Sequence, residues 1–303
     1  MLQRAKNILH LFCWLCLASG QSEYQGLRSW YSSATISSGG GGSMLTITEA
    51  DRYNPALLSF EKNQSITLDV IRYPAQINSK HLGWVIPQKT KTYSIHYRQL
   101  DYGNFDGFDE DGYPTRPYSS NDTWLNGSMS SQAKFFHYGL SAGIFYSRLS
   151  DSKSLVFTCT LGGMILLEKE KIKIGIAFRN FGKAIRAYSK AEETLPYSGA
   201  LSISKDLAYL PLSLNLDLEF IGRNRQPDIS LSGKFTLTES VFLRWGINSD
   251  KFDQQIKSGV AKDLITGTGV GLGFKSEMYS IETGGYFYNP GNWLFGVSAG
   301  FYR

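Results

Sequence analysis

Leu210-Pro211-Leu212-Ser213-Leu214-Asn215-Leu216-Asp217-Leu218-Glu219-Phe220 decides the fold class, because every second residue in it is large and apolar. Successive side chains of a strand point to opposite faces, so the five leucines and Phe220 fall on one side, with Asn215, Asp217 and Glu219 on the other. A helix would scatter the same residues around its circumference. The run is about as long as a tilted strand that crosses a bilayer, roughly 9 to 11 residues. Its apolar face suits lipid or a second sheet, and its charged face needs water.

Outward from this stretch the same rhythm recurs. Ile66, Leu68 and Val70 alternate, as do Leu82, Trp84 and Ile86, and then Tyr93, Ile95 and Tyr97. Asp101 to Ser120 reads as a long loop. Strands follow over 123–133, 138–149 and 155–167, and in Ile172, Ile174, Ile176 and Phe178 against Lys173 and Arg179. Further strands are expected near 197–205, 210–221, 228–237, 240–248, 266–275, 278–288 and 292–302. About fourteen strands joined by short turns such as 149–153 and 289–292 make an antiparallel meander, which must close on itself or leave exposed edges. Tyr and Trp near strand ends (Trp84, Tyr93, Tyr146, Tyr288, Trp293, Tyr302) fit the aromatic girdles of a membrane barrel. The expected fold is therefore all-β, an antiparallel transmembrane β-barrel, with a secreted β-sandwich as the alternative.

Bulk properties agree. No stretch beyond the N-terminus approaches 18 uninterrupted apolar residues, which excludes transmembrane helices. Aromatics at 14% and 31 glycines in 303 residues match a barrel's composition. A formal net charge of +5 is too mild to argue for a nucleic-acid partner. Arg4 and Lys6, the apolar run from Ile8 to Leu17 and the small residues Ala18-Ser19-Gly20 read as a signal peptide over 1–20. After its cleavage only Cys159 remains, so no internal disulfide is expected.

Residues 21–62 lack sheet periodicity and read as an irregular leader that packs against or inside the barrel of 63–303. The leader contains Gly39-Gly40-Gly41-Gly42-Ser43 and Tyr53-Asn54-Pro55-Ala56-Leu57-Leu58. Gly267, Gly269, Gly271 and Gly273 alternate along one strand face; bare backbone there admits another segment, and the leader is the expected occupant. The spacing is not that of a phosphate-binding loop. Asp106, Asp109, Glu110 and Asp111 fail the calcium-loop pattern, since Gly107 and Tyr118 stand where carboxylates are required. His81, His96 and His137 are far apart in sequence, with no HExxH or GxSxG motif, so a catalytic set, a metal and a cofactor are all unexpected. Cys159 reads as an inert strand residue, and Asp217 with Glu219 as part of a charged barrel interior.

Several segments in series resemble the PorV/PorQ family of FadL-like outer-membrane barrels. Asp51-Arg52-Tyr53-Asn54-Pro55-Ala56-Leu57-Leu58-Ser59 is similar to the Asn-Pro-Ala-Leu-Leu-Ser segment that ends that family's N-terminal hatch. Tyr102-Gly103, Asp106, Asp109-Glu110-Asp111-Gly112 and Tyr118-Ser119-Ser120-Asn121-Asp122 resemble its loop series. Ile174 through Gly182, Leu195-Pro196, Ile203 through Leu207 and Leu210-Pro211-Leu212 continue the match in order. The resemblance implies a non-enzymatic barrel in the bacterial outer membrane that anchors a cell-surface cargo-attachment complex of the type IX secretion system. Its implied partners are outer-membrane lipid, other type IX attachment proteins and lipopolysaccharide. Asn54, Pro55 and Ala56 would form the hatch motif. Tyr102, Gly103, Asp106, Asp109, Glu110, Asp111 and Gly112 would form a partner-facing loop. The rival readings are a FadL-like channel for hydrophobic small molecules, with glycine breaks such as Gly162-Gly163 or Gly284-Gly285 opening its wall sideways, and a secreted sandwich enzyme.

Overall fold

In a computed structural model, residues 24–188, 194–222, 227–249, 265–289 and 291–303 are described. The expected signal peptide lies outside them. Fourteen antiparallel strands among the described residues close into a barrel. They are β1 (Ser65–Arg72), β2 (Asn78–Pro87), β3 (Lys91–Phe108), β4 (Pro114–Ala133), β5 (Phe136–Leu149), β6 (Ser152–Leu167) and β7 (Ile172–Arg186). The second half is β8 (Ser198–Asp206), β9 (Leu212–Ile221), β10 (Asp228–Thr236), β11 (Val241–Asn248), β12 (Thr268–Lys275), β13 (Tyr279–Asn289) and β14 (Asn292–Tyr302). Each pairs with its sequence neighbours, and β1 pairs with β14 from Ser65↔Tyr302 to Arg72↔Phe295, so no edge is left unpaired. Among the described residues no helix is long and apolar enough to cross a membrane.

The alternation read in β9 resolves as inside against outside. Asn215 and Asp217 are buried, whereas Leu216 points out and is 39% exposed. Ile66, Leu68, Val70, Leu82, Ile95, Leu125, Ile144, Phe157, Leu161, Ile203, Val270, Leu272, Ile281 and Val297 make the same outward belt around the barrel. A continuous apolar girdle of this extent is a surface for lipid, not for water or a second sheet. Leu216→Arg is accordingly expected to destabilise the barrel in bilayers by about 2–4 kcal/mol. Urea titration in lipid vesicles checks this; a cost below about 0.5 kcal/mol would place Leu216 outside the bilayer.

Three expectations need correction. The stretch from Asp101 to Ser120 is mostly strand: β3 runs to Phe108 and β4 starts at Pro114, leaving a turn at 109–113. At 18 and 20 residues these strands far exceed the roughly 9 to 11 needed to cross a bilayer, so the hairpin projects beyond it. Projecting into water on both faces, it has no alternating apolar signature, and bulges at Asp101/Gly103 and Phe105/Gly107 break its register further. Tyr302 points into the barrel rather than into a girdle, its hydroxyl 3.1 Å from that of Ser280. The leader is not wholly irregular. It forms two short helices, α1 (Ser33–Ser37) and α2 (Ala50–Tyr53), and 3-10 turns at Gln25–Leu27 and Pro55–Phe60.

Candidate functional site: the plugged lumen

The leader lies inside the barrel, and nearly every described residue from Tyr24 to Leu58 is buried or half-buried. Its apolar side chains make three contacts with the wall. Tyr24 and Leu27 pack with Trp124, Phe145, Val156 and Leu195. Ile36 packs with Ile71, Tyr286 and Leu294. Met44, Ala50, Ala56, Leu57 and Leu58 pack with Val85 and Met164. Helix α1 begins at Ser32, whose hydroxyl accepts from the Thr35 N–H at 3.2 Å. The helix lies against wall glycines: a Cβ at Gly269 would overlap the Ile36 carbonyl oxygen, and one at Gly271 or Gly284 the Ser37 hydroxyl. Gly269 and Gly271 of β12 thus face the lumen and receive the leader, as the spacing implies, whereas Gly273 is covered by the Phe242 ring of β11 and Gly267 precedes the strand.

Between α1 and α2 the Gly39–Ser43 loop is held by one carboxylate. Gly39, Gly40 and Gly42 adopt positive φ; the N–H groups of Gly39 and Gly40 close α1 on the Ile36 and Thr35 carbonyls, and those of Gly42 and Ser43 turn to the wall. Asp217 Oδ2 accepts the N–H of Gly42 at 2.9 Å and of Ser43 at 3.2 Å. Asp217 also accepts from Ser202 Oγ at 2.5 Å, Asn215 Nδ2 at 2.6 Å and the Ser43 hydroxyl. The second charge of that strand, Glu219, pairs with Arg179 at 3.1 Å, and Arg179 donates to the Tyr53 carbonyl at 2.8 Å. Both carboxylates are therefore structural anchors of the charged interior.

A second polar network ties α2 to β1–β4. The Asp51 carboxylate accepts two bonds from Arg98, at 2.6 and 2.8 Å, and one from Asn126 at 2.8 Å. Burial pushes the Asp51 carboxyl up, but the Arg98 guanidinium with the neighbouring His96 and His81 together hold it well below the usual carboxylate range. Glu49 accepts from Ser32 at 3.2 Å, from Arg52 at 3.3 Å and from Thr35. Beside this network, Asp69 lies 2.7 Å from His81 Nδ1, and His81 Nε2 is 2.9 Å from His96 Nδ1. His81 and His96, distant in sequence, are thus neighbours. The β2–β3 register pairs His81 with Arg98 and Gly83 with His96, and bare Gly83 leaves room for the His96 ring. Counting back from the turn near Gln88–Thr90 would have found this pair. His137 stands apart, bonded to Ser59 at 2.7 Å and stacked on Phe60.

The Asn54-Pro55-Ala56 segment presses on the wall at β5 and β6. Asn54 Oδ1 accepts the Ala56 N–H at 3.1 Å, while its Nδ2 donates to the carbonyls of Gly163 and Ile176 at 3.3 and 3.4 Å. A Cβ at Gly139 would overlap Pro55, and one at Gly162 would overlap Asn54. On the outer side of this wall lies an apolar depression of about 370 Å³ lined by Met129, Tyr138, Leu140, Leu161, Gly163, Ile176 and Phe178. Strand pairing is continuous between the two sides, with Gly139 opposite Gly162 and Gly163 opposite Ile176.

The other expected contact residues sit at or beyond the rim. Tyr102 donates to Asp122 at 2.7 Å, and Gly103, at positive φ, donates to Asp101 at 3.0 Å. Asp106 lies in β3. Asp109 Oδ1 accepts the N–H groups of Asp111 and Tyr113 at 3.1 and 2.8 Å, and Gly112 closes the turn, with Glu110 and Asp111 exposed. Cys159 is a free, half-exposed thiol on β6. Among the described residues no cluster of three or more His, Cys, Asp or Glu is arranged to hold a metal ion.

No known family profile matches the chain. Solved structures do. The toluene transporter TodX of Pseudomonas putida is similar at a TM-score of 0.61 with 14% identity, covering 90% of this chain and 98% of that one. The CymD monoaromatic hydrocarbon channel gives 0.58 with 12% identity, covering 90% and 97%. A Pseudomonas aeruginosa FadL homologue gives 0.55 with 12% identity, covering 90% and 99%. A leader lodged in a closed fourteen-stranded wall, with three such matches over nine-tenths of the sequence, gives this chain the fold of the FadL-like outer-membrane barrels.

Proposed function

We propose that the protein is a channel for apolar small molecules in the outer membrane of a two-membrane bacterium, with its leader as the gate. The observation that carries this reading is the wall at Gly139, Gly162 and Gly163. There an apolar depression on the lipid side is backed directly by Asn54 and Pro55 on the luminal side. Glycines make the wall thin at this point, and the Asn54 side chain holds to β6 and β7 by two long amide bonds. A lateral passage here requires Asn54-Pro55 to move inward and the β5–β6 ladder to part at Gly139 and Gly162, the pair on which that segment presses. The fold shared with TodX and CymD, described as a toluene transporter and a monoaromatic hydrocarbon channel, supports the same substrate class. No step in this reading requires chemistry by the protein.

The second reading keeps the anchoring role implied by the PorV/PorQ resemblance, with type IX attachment proteins and lipopolysaccharide as partners. It is favoured by the long β3–β4 hairpin, whose tip carries Asp109, Glu110 and Asp111 clear of the barrel, and by a lumen filled with leader.

Uptake of toluene by proteoliposomes separates the two. The channel reading expects saturable uptake above that of empty liposomes, and its absence overturns that reading in favour of the anchor. The gate has its own test. Ser33 Oγ lies 2.5 Å from Ser298 Oγ, so Ser33→Cys with Ser298→Cys, in a Cys159→Ser background, is placed to form a disulfide between leader and wall. Oxidation is expected to lower uptake to the empty-liposome level and reductant to restore it; unchanged flux in the oxidised protein would show that the leader does not gate.

A further inference from the structure

The end of the barrel that carries the strand termini holds a second cavity, of about 160 Å³, between the leader and the wall formed by β10–β14 and β1. It is lined by Lys234, Arg244 and Lys275, with Glu61, Asp69 and Glu282 as counter-charges, and by Thr67 and Phe242. It has room for several waters or one small solute.

The carboxylates are largely committed. Asp69 is taken by His81 and Ser298. Glu282 receives Arg244 Nε at 2.9 Å and Nη2 at 3.3 Å. Glu61 feels the charge of Lys275 but lies beyond ion-pair distance of it. The cations are not equally satisfied. Lys234 and Arg244 face each other as cross-strand partners on β10 and β11, a like-charge placement that costs stability. Their charges flank the Phe242 ring, Lys234 Nζ at 4.3 Å and Arg244 Cζ at 5.5 Å from its centroid. Among the described residues neither Lys234 nor Lys275 has a carboxylate within 4.0 Å. Among the described residues two buried polar atoms on the lining have no partner: Arg244 Nη1, on the guanidinium edge turned away from Glu282, and Thr67 Oγ1. Such orphaned groups cost roughly 1–3 kcal/mol each, more when charged.

From this we propose that the cavity is a binding site for one small water-borne oxyanion, a carboxylate or a phosphate. Arg244 Nη1, Lys234 and Thr67 Oγ1 hold it, and Lys275 draws it in at the rim. The site goes beyond the channel reading and does not depend on it. Its lining lies inside the wall, which commits the ligand to the aqueous phase rather than to a bilayer lipid.

The test is isothermal titration of the purified full chain in non-ionic detergent with inorganic phosphate and, separately, propionate, at fixed ionic strength in chloride. Saturable one-to-one binding of at least one probe is expected. Lys234→Gln is expected to weaken it by tenfold or more, and Lys275→Gln, at the exposed rim where folding is not at stake, by about threefold. Glu282→Gln, which removes the carboxylate that competes for Arg244, is expected to tighten it. No saturable binding of either probe overturns the proposal, as does binding that survives both lysine substitutions unchanged, since the anion would then sit elsewhere.

Discussion

Arg98→Met is expected to destabilise the folded protein by about 3–5 kcal/mol, because it strands the Asp51 carboxylate inside the barrel without its guanidinium. In the native protein Arg98 is fully buried and makes two bonds to Asp51. Removing one partner of such a pair costs far more than removing both, so Asp51→Asn combined with Arg98→Met is expected to recover most of the loss. The pH dependence follows from the depressed carboxyl of Asp51. A group whose folded pKa lies below its unfolded value adds stability above the unfolded value, about 3.9 for Asp, and that stability fades as pH falls further. The native barrel should therefore lose stability progressively below about pH 4, and Arg98→Met should remove this part of the acid dependence. Urea unfolding in detergent from pH 3 to 8, followed by tryptophan fluorescence, checks both. Equal stability of the native protein and Arg98→Met at pH 7 would show that the pair contributes nothing.

Asp217→Ala is expected to free the Gly39–Ser43 loop and to cost about 3 kcal/mol. It leaves the N–H groups of Gly42 and Ser43 and the Asn215 amide without their charged acceptor at once. The loss should be visible locally. Proteinase K is expected to cut between Gly39 and Ser43 in the variant and to leave the native loop intact, with the cleavage mapped by mass spectrometry. Asp109→Ala, at the exposed hairpin tip, serves as the control and should change global stability by less than about 0.5 kcal/mol. An uncut loop in Asp217→Ala would mean that packing against the glycines of β12, not the carboxylate, holds the leader.

Strand order and face were legible in the sequence because a wall between lipid and a polar lumen imposes a two-residue rhythm, as Leu216 beside Asn215 and Asp217 shows. Gly269 and Gly271 of β12 were legible for the same reason: their parity placed them inward, where the missing side chains leave room for another segment. What failed to show depends on register or on water. His81 and His96 meet because a short turn sets β2 against β3, a relation that residue spacing alone does not display. The β3–β4 projection lacks the rhythm because both of its faces are wetted. Tyr302 looked like a membrane-interface aromatic, but its parity on β14 turns it toward Ser280. The cationic cavity was hidden most deeply, since Lys234, Arg244 and Lys275 come from three different strands.

A rolled sheet is ordinarily weakest along the line where its first and last strands meet. Here that line is stitched by a side-chain bond inside the barrel. Ser298 of β14 donates to Asp69, the residue opposite it on β1, and the Ser33 hydroxyl of the leader bonds to Ser298 from inside. Unzipping the tube along this closure would break an internal stitch as well as the backbone ladder, so the protein should part first somewhere other than its seam.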